Sequence, residues 1–521
     1  MYQTYKRLAG WSEHVKIYKD RSIFWHDMWV SNDKPREGIV AILMRKARAE
    51  YRRAVKYVKR HQDVLTADRM SNALLNDNKR PFWSEVRKTL GKHTNVPSVI
   101  DDVDIDEGIY NLFSSKYKEL YTSVPYDIDE MNQMKSALDI DYVTKCCSGH
   151  CVNEHNLDMN DVKCAVEKLK PYKVDGKFES YSDNIINGGD MLYVHLSILF
   201  KCMLTHNIVP RDMVLSTLVP IPKSRKKSLS DSSNYRSIAL SSILGKVLDS
   251  IIMNKNVDIM LSEYMQFGFK AAHSTTQCTF VMEEIIDLYT RNGSSVYLIM
   301  LDASKAFDRV QYIKLFRLLI KRGMCAMYSR FLGNMYLNQC LRVKWNSNFS
   351  DNFDVINGVK QGGVLSPLLF CIYIDELFIR LRKSRIGCHI GNIYAGAVGY
   401  ADDVSLMAPS YTAAKSMLKI CEKYAEEYQV MFNSSKSVLV CYNVSHNVQL
   451  KLNNIILERQ DAAKHLGHYV GLGHNVINVK QACNNLYSSI NLMLSRFGCL
   501  YSNTKHSLFR TYCTSMYGSP L

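Results

Sequence analysis

The chain has 521 residues, which is too long for one typical hydrophobic core and predicts two to four domains or subdomains. Its composition, 47% hydrophobic and 22% charged, matches an ordinary soluble globular protein, and no run approaches the ~20 apolar residues that cross a bilayer. Lys and Arg outnumber Asp and Glu by 66 to 50, and the formal net charge of +16 favours a polyanionic partner, because neutralising phosphates releases counterions.

Residues 1–100 are predicted to form a basic, helical extension, and no signal-peptide core opens it. Cations recur along it at spacings of three and four, namely at Arg45, Arg48, Arg52, Lys56 and Lys59. Tyr51, Val55 and Val58 repeat with the same period on the opposite side. This pattern predicts an amphipathic helix whose basic face is either simply solvated or follows a nucleic-acid backbone.

Residues 101–214 begin with a short acidic stretch, Asp101 to Asp106, that we interpret as a linker. The rest is predicted to be mostly helical, with breaks at turns such as Lys170-Pro171. A cluster of candidate metal ligands comprises Cys146, Cys147, His150, Cys151 and His155. Its spacing fits no common zinc pattern, and the 15 scattered cysteines favour free thiols in a reducing, intracellular compartment.

From about residue 215, short β-rich runs alternate with helical patterns. Strands are predicted at 214–221, 296–301, 341–345, 393–400, 404–408 and 438–442. Helices are predicted at 312–321 and 413–428. Because the order shows no strict βαβ rhythm, the fold class is predicted to be α+β rather than doubly wound.

The run from Val296 to Leu301 is almost wholly apolar and ends at Asp302. It predicts a strand buried on both faces. A carboxylate at the end of a buried strand is costly unless it is paired or binds a metal. Alternatively, Asp302 or Ser304 is the N-cap of the next helix, and this local pattern by itself leaves that alternative open.

A second acidic site follows about one hundred residues later, where Asp402 and Asp403 are predicted to occupy the bend of a β-hairpin. This bend lacks the glycine that a tight hairpin turn prefers, and two adjacent carboxylates repel unless a cation neutralises them. Mg²⁺ prefers carboxylate and phosphate oxygens. Brought together, the two acidic sites would hold two metal ions about 3.5–4 Å apart, one activating a 3′-hydroxyl and the other stabilising pyrophosphate.

Several motifs closely resemble those of reverse transcriptases from non-LTR (LINE-type) retrotransposons. The main ones run from Leu301 to Asp308, from Gly358 to Pro367 and from Tyr400 to Asp403. Others agree in order and spacing, namely Pro220 to Lys223, Asn234 to Ile238, Gln266 to Lys270, Phe432 to Ser437 and His465 to His468. The resemblance covers about 215–470, and the flanking segments are similar to the same family's linker and early thumb.

The resemblance implies a right-hand polymerase with fingers and a ferredoxin-like palm sheet at 215–471. The basic extension at 1–100 and a helical linker at 101–214 would precede it, and an incomplete thumb at 472–521 would follow. The implied activity is RNA-directed DNA synthesis with two Mg²⁺ ions, for which Mn²⁺ is a substitute. The implied partners are an RNA template, a DNA primer or target, and dNTPs, and no membrane is involved. The implied location is the nucleus or the cytoplasm.

Roles for individual residues follow from the same resemblance. Asp302, Asp402 and Asp403 would be catalytic metal ligands, with Asp403 less direct, and the carbonyl of Ala303 would lie near a metal. Phe307 would exclude a 2′-hydroxyl as a steric gate, although a core aromatic is the ordinary alternative.

The nucleotide-binding residues are likewise implied by the resemblance. Lys223 and Arg236 would clamp the triphosphate, and Gln361 and Gly362 would lie against the nucleotide and template base. Lys436 would be the general acid for pyrophosphate, with a plain surface lysine as the alternative. The turn Leu466-Gly467 would belong to the primer grip.

Some departures from the family pattern leave rival functions open. No upstream endonuclease motif and no following Cys/His knuckle are found, and Lys270 stands where Arg is more usual. A truncated or domesticated RNA-binding fragment without sustained polymerase activity is therefore one alternative. The second alternative is an intron-type or telomerase-type reverse transcriptase, or an RNA-dependent RNA polymerase. Phe307 and Ala401 disfavour the RNA polymerase.

Overall fold

The computed structural model describes residues 8–76, 79–90, 97–124, 127–148, 156–177, 180–224 and 227–513. The chain forms two compact units, one made of residues 1–95 and 475–521 and the other of residues 96–474. Both the predicted 101–214 segment and the predicted 215–471 segment fall within the second unit. Within the part of the chain that is described, no helix combines the length and apolarity needed to cross a bilayer.

The N-terminal part of the first unit is helical, as its periodicity predicts. Its helices are α1 (Trp11–His14), α2 (Lys16–Ser31), α3 (Ile39–Arg60), α4 (Gln62–Leu75) and α5 (Lys79–Leu90). Helix α3 buries Ala41, Met44, Ala47 and Val58 at helical spacing. All five predicted cations of α3 are exposed, so the amphipathic prediction for this stretch is confirmed.

The second unit mixes helices with sheets. Its α-helices are α6 (Asp106–Tyr121), α7 (Ile128–Asp141), α8 (Met159–Glu167), α9 (Ser182–Ile186), α10 (Gly189–His206), α11 (Arg211–Val214), α12 (Ile243–Lys255), α13 (Thr275–Arg291), α14 (Tyr312–Lys321), α15 (Ala326–Leu337), α16 (Ser366–Ser384) and α17 (Tyr411–Tyr428). A π-helical turn spans Tyr142–Cys146, and 3₁₀ turns span Ser232–Asn234 and Phe307–Arg309.

The strands of this unit are β1 (Leu215–Pro222), β2 (Tyr235–Leu240), β3 (Val296–Ser304), β4 (Cys340–Trp345), β5 (Asn348–Phe349), β6 (Phe353–Asp354), β7 (His389–Ile390), β8 (Ile393–Tyr394), β9 (Ala397–Tyr400), β10 (Asp403–Ala408), β11 (Met431–Phe432), β12 (Val438–Tyr442), β13 (Lys451–Leu452), β14 (Ile455–Ile456), β15 (Glu458–Arg459), β16 (Ala462–His465) and β17 (His468–Gly471). A five-stranded sheet has the order β2-β1-β4-β5, with β6 also paired to β4. A six-stranded sheet has the order β15-β12-β3-β10-β9, with β11 also paired to β3.

Strand β3 lies at the centre of the six-stranded sheet and is covered on both faces, as its apolar run predicts. Val296, Leu298 and Met300 pack in one cluster with helix α13 and the hairpin β16–β17. The alternate residues Tyr297 and Ile299 pack in the main cluster, which includes α16 and α17. Because side chains alternate along a strand, Asp302 projects on the same side as Met300, at the end of the sheet.

Helix α17 shows why the sequence supports this sheet. Its N-cap, Ser410, accepts a hydrogen bond from the amide of Ala413, and its helix ends where Gln429 adopts φ 54. Buried side chains recur at three- and four-residue spacing, at Ala414, Met417, Leu418, Cys421, Tyr424 and Tyr428. This stripe packs against β3 and β10 and so fixes the position of the strands that end in aspartates.

Two local predictions differ from the structure. The strand predicted at 393–400 is divided into β8 and β9, because the amide of Ala395 bonds to Cys388 while the carbonyl of Gly396 bonds to Met407. The acidic stretch interpreted as a linker is instead a folded turn, in which Asp101 accepts a hydrogen bond from the amide of Ser232 at 3.0 Å.

The cysteine and histidine cluster near residue 150 lies partly outside the described residues. His150, Cys151 and His155 are among those that the structure leaves out. Cys146 is buried, and its Sγ lies 3.4 Å from the Sγ of Cys325.

The C-terminal helices α18 (His474–Phe497) and α19 (Ser502–Tyr512) complete the first unit. One core of this unit joins both ends of the chain, and its buried members are Ala67, Met70, Phe82, Val86, Met493, Phe497, Leu500 and Leu508. The hydroxyl of Tyr501 also donates to Asp68 at 2.9 Å.

Candidate active site

Three aspartates meet at the end of the six-stranded sheet. In the antiparallel pairing of β3 with β10, Asp302 lies directly opposite Asp403. Residues directly opposite each other project on the same face, with Cβ atoms about 4.5–5.5 Å apart. Asp402 occupies the turn that joins β9 to β10, so the fold brings together all three carboxylates that the sequence analysis selected.

The turn differs in one detail from the predicted bend. Only Ala401 and Asp402 form it, while Asp403 opens β10 and pairs with both Tyr400 and Asp302. The prediction that both aspartates sit at the bend was wrong, because a two-residue turn leaves its next residue free to join the ladder.

The three carboxylates repel one another electrostatically. Burial, followed by the charges of Asp402 and Asp302, raises the pKa of Asp403 to about 6. Burial and the charge of Asp302 likewise raise the pKa of Asp402, and the nearby Arg236 opposes that shift. A cation bound here would relieve this repulsion.

The turn formed by Ala401 and Asp402 is held in place by Gln266, which is fully buried. The side-chain oxygen of Gln266 accepts from the amides of Ala401 and Gly268 at 2.9 and 2.8 Å, and its amide donates to the carbonyl of Ala401 at 3.3 Å. A Cβ on Gly268 would lie 2.3 Å from the amide nitrogen of Ala401, so this position requires glycine. Sequence reasoning noted the motif around Gln266 and missed its contact, which joins residues 135 apart.

The backbone at Asp302 is fixed by a second segment. Its amide donates to the hydroxyl of Ser437 at 3.2 Å, and its carbonyl accepts from the amide of Asn433 at 2.8 Å. The Nζ of Lys436, in the same segment, lies 3.8 Å from Oδ2 of Asp302. Lys436 is therefore beside the predicted metal ligand, with its side chain two-thirds exposed.

The capping alternative for this strand end is wrong. Strand β3 continues through Ser304, and the following 3₁₀ turn begins at Phe307 after Ala306 as N-cap, which makes no side-chain capping bond. Asp302 and Ser304 thus lie within a strand and cap no helix. The backbone of Ala303 pairs with Phe432 of β11, which fixes the direction of this strand end.

Phe307 is half-buried between two other aromatic rings. Its ring stacks on the buried Phe370 with centroids 4.5 Å apart, and Phe269 meets it edge-on at 6.2 Å. Phe269 adjoins Gly268, which packs against the turn at Ala401. The structure therefore places Phe307 in the same region as the aspartates.

Gln361 and Gly362 lie against strand β2. The carbonyl of Gln361 accepts from the amide of Ala239 at 2.7 Å. Gly362 has φ 110, and a Cβ there would lie 2.8 Å from the carbonyl of Ala239. The side-chain amide of Gln361 donates to both carboxylate oxygens of Asp308 at 3.2 Å, a contact that sequence reasoning did not identify.

A group of cations surrounds the other side of the site. Burial lowers the pKa of Lys223, and Arg236, Lys116 and Lys436 lower it further by repulsion. Lys223 is held by the carbonyl of Ser233 at 2.9 Å. Lys116 comes from α6, outside the motifs of the sequence analysis, and could be placed here only by the fold. Such mutual repulsion favours an anionic ligand.

The predicted primer-grip turn is the tip of the β16–β17 hairpin. Leu466 and Gly467 form a two-residue turn with φ 47 and 96. His465, at the end of β16, lies 3.3 Å from the hydroxyl of Ser405 on β10. This bond ties the hairpin to the strand that carries Asp403.

The donor set suits a hard divalent cation. Within the described ranges, no three His, Cys, Asp or Glu side chains are close enough to form a complete metal cage. Sites that bind Mg²⁺ with substrate phosphates usually take only one or two carboxylates from the protein. Asp402 and Asp403, whose pKa values are raised, and Asp302, whose side chain is 40% exposed, fit that kind of site.

Comparison with known proteins identifies the family to which this part of the chain is similar. Residues 221–470 match the family model for reverse transcriptase (RNA-dependent DNA polymerase). The chain carries a reverse transcriptase domain. Its matched range contains β2 to β16, and hence every aspartate and aromatic residue of the site described above.

Similar proteins come from non-LTR retrotransposons. The probable RNA-directed DNA polymerase from transposon X-element of Drosophila melanogaster is 28% identical over 53% of this chain and 30% of that protein. The Pol polyprotein of the type-2 retrotransposable element R2DM, from the same species, is 25% identical over 60% of this chain and 29% of its own length. The RNA-directed DNA polymerase from mobile element jockey of Drosophila funebris is 26% identical over 59% and 34%. The chain therefore spans about a third of the length of these relatives.

Among solved structures, apo telomerase from Candida tropicalis overlaps with 54% of this chain and 59% of its own, at 12% identity and a TM-score of 0.36. At this TM-score the overlap does not establish a shared fold.

Proposed function

We propose that this chain is the polymerase part of a non-LTR retrotransposon protein and adds dNTPs to a primer 3′-hydroxyl on an RNA template. The observation that carries the proposal is the register that sets Asp302 opposite Asp403, with Asp402 in the adjoining turn. It is supported by the reverse transcriptase match over 221–470.

In this proposal the six-stranded sheet is the ferredoxin-like palm and the five-stranded sheet belongs to the fingers. Lys223 directly follows β1 and Arg236 lies on β2, both in the second sheet, and the charge of Arg236 acts on Asp402 of the palm. Helices α18 and α19 would be the beginning of a thumb. Helix α3, with its exposed cations, would contact the RNA backbone.

Two Mg²⁺ ions, for which Mn²⁺ can substitute, would be held by Asp302 and Asp402, with Asp403 and the carbonyl of Ala303 contributing less directly. When bound, such ions polarise phosphate oxygens and lower the pKa of a hydroxyl nucleophile. The protein's part is to hold the carboxylates in register, through β10, Gln266 and Ser437.

The remaining side chains bind and orient the nucleotide. Lys223 and Arg236 would bind the triphosphate by charge-assisted hydrogen bonds. Lys436, beside Asp302, would hold the proton that the leaving pyrophosphate takes up. Phe307, fixed by its stack on Phe370, would close the space that a 2′-hydroxyl needs.

The test is primer extension on an RNA template by the purified chain and by Asp402→Asn. We expect the substitution to lower kcat by about 100-fold or more, as for the loss of one preorganised catalytic group, and to leave RNA binding intact. Asp258→Asn, which removes an exposed carboxylate from the same unit, is the control and should retain activity. Extension by Asp402→Asn at the wild-type rate would contradict the site assignment.

A second candidate function is RNA binding without sustained polymerisation, and the continuous exposed basic face of α3 favours it. In that case the wild-type chain would bind RNA with the salt dependence of a polycation and would fail to extend any primer. The same assay therefore separates the two candidates.

A further inference from the structure

The carboxylate of Asp308 has no place in the metal site, yet it is almost completely buried. Its side chain is 4% exposed, and both of its oxygens accept from the side-chain amide of Gln361 at 3.2 Å. A carboxylate accepts hydrogen bonds and donates none, so it dictates which end of the Gln361 carboxamide faces it. The amide nitrogen is thereby committed to Asp308, and the direction of the carboxamide oxygen is fixed.

The backbone around Asp308 joins the gate residue to the segment that carries Gln361. The carbonyl of Phe307 accepts from the amide of Val359 at 2.7 Å. The carbonyl of Asp308 accepts from the side-chain amide of Asn357 at 2.6 Å. A Cβ on Gly358 would lie 2.6 Å from that same carbonyl, so the two segments are in close contact. The segments that carry Phe307 and Gln361 are therefore joined by direct contacts.

Stability does not explain a carboxylate at this position. Burial raises the pKa of Asp308 to about 6, against the opposing effects of the nearby Tyr121 and Gln361. Burying such a group costs free energy that an apolar residue of similar size would not. What the carboxylate supplies here is a fixed acceptor for Gln361.

We propose that Asp308 is a positioning residue that fixes the carboxamide of Gln361 against the incoming nucleotide and so sets the affinity and selectivity for dNTPs. This inference rests on the proposed function. Asp308 itself does not touch the reacting atoms. It acts by keeping one rotamer of Gln361, whose side chain is only partly buried.

The experiment compares the full chain with Asp308→Asn, Gln361→Ala and the double variant, in primer extension with varied dNTP. In Asp308→Asn one acceptor becomes a donor that repels the Gln361 amide. We expect the KM for dNTP to rise about tenfold, the equivalent of one hydrogen bond, and kcat to change less than about threefold. Misincorporation should rise in parallel. Gln361→Ala should show the same shift, and it keeps the test informative if Asp308→Asn folds poorly.

The double variant tests whether Asp308 acts through Gln361. If Asp308 acts through Gln361, removing both should raise KM no further than removing Gln361 alone. A further tenfold rise in the double variant, or a wild-type KM in Asp308→Asn, would overturn the proposal.

Asp375→Asn is the matched control. Asp375 is also a buried carboxylate, and it accepts from Arg322 at 2.7 Å and from the amide of Glu263 at 3.0 Å, away from Gln361. This variant should lose thermal stability, but its KM for dNTP should not rise selectively over a nearly unchanged kcat. If Asp375→Asn also raises KM while kcat stays nearly unchanged, the effect of Asp308 is merely structural and the proposal fails.

A binding measurement separates this inference from the proposed function. The Kd for dNTP is measured with a dideoxy-terminated primer on an RNA template, where no bond can form. A wild-type chain that binds dNTP but extends no primer contradicts the proposed function, and a tenfold weaker Kd in Asp308→Asn still supports the role of Asp308. An unchanged Kd overturns it, and a wild-type chain that binds no dNTP contradicts both.

Discussion

Ala401 holds a backbone conformation that alanine does not prefer. Its φ is 58, in the left-handed region, where a non-glycine residue is strained by roughly 1–2 kcal/mol. The strain is offset by Gln266, which bonds both the amide and the carbonyl of Ala401. The position of Asp402 thus depends on a glutamine from a distant part of the chain.

We therefore expect Gln266→Ala to impair catalysis as well as stability. Leaving the two Ala401 groups without their partner should lower the free energy of unfolding by about 1–3 kcal/mol. It should also lower kcat by at least about tenfold, because each 1.4 kcal/mol of lost preorganisation costs that factor. The measurements are urea unfolding and primer extension.

Gln339→Ala provides the comparison for Gln266→Ala. Gln339 is equally buried but adjoins β4 in the other sheet. Gln339→Ala should lower the free energy of unfolding and leave kcat near the wild-type value. Equal losses of kcat in the two variants would show that Gln266 has no specific role at the turn.

Phe307 permits a prediction about sugar selection. Removing its ring in Phe307→Ala opens the space beneath the nucleotide, so the preference for dNTP over rNTP should fall by about 10- to 200-fold, as for other steric pockets. Single-nucleotide incorporation of dNTP and rNTP measures this ratio. Phe349→Ala, an aromatic change in the five-stranded sheet, should leave the ratio unchanged. An unaltered preference for dNTP over rNTP in Phe307→Ala would show that Phe307 is an ordinary core aromatic residue.

At the scale of elements, the sequence predicts those helices and strands whose burial repeats regularly along the chain. The apolar run of β3 and the stripe of α17 identify their elements because burial on two faces or on one face repeats along the chain. The break between β8 and β9 could not be predicted, since it arises where the chain exchanges one hydrogen-bonding partner for another. The same is true of the site: motif spacing selected Asp302, Asp402 and Asp403. The roles of Gln266, Asp308 and Ser437 depend on contacts across 53 to 135 residues.

Helix α3 carries a prediction about RNA binding. Replacing Arg48, Arg52 and Lys56 by Gln removes three exposed charges from its basic face. If each contacts a phosphate of single-stranded RNA, the slope of log K against log salt should become shallower by about 2, from about 0.7 per contact. Binding titrations at several salt concentrations measure the slope.

A matched loss of charge is available on α17. Lys415, Lys419 and Lys423 are exposed at successive turns of that helix. Replacing these three by Gln changes the net charge by the same amount and should leave the slope as it is. Equal changes in both triple variants would mean that only total charge matters.

At the scale of the whole molecule, the first unit is built from both ends of the sequence. Phe497, from α18, is buried in one core with Met70 of α4 and Phe82 of α5. No local pattern predicts that α18 packs with α4 and α5. An apolar stripe shows that a helix packs against something, but it does not identify the segment that it packs against.

Phe497→Ala should therefore loosen helices that lie about 400 residues earlier. The cavity should cost about 3–5 kcal/mol of the stability of this unit, and hydrogen exchange should accelerate in α4 and α5 while β3 keeps its protection. Leu494→Ala, at an exposed position of the same helix, should change little. Unchanged exchange in α4 and α5 would contradict the shared core.

The same shared core has a consequence during synthesis. Domains generally fold as they leave the ribosome, N-terminal part first. Here α4 and α5 precede the reverse transcriptase domain, but the core that covers Met70 and Phe82 also takes side chains from residues beyond 490. The reverse transcriptase domain is therefore made before those residues, and it can fold while α4 and α5 still lack part of their core. During that interval we expect Met70 and Phe82 to be exposed and available to chaperones.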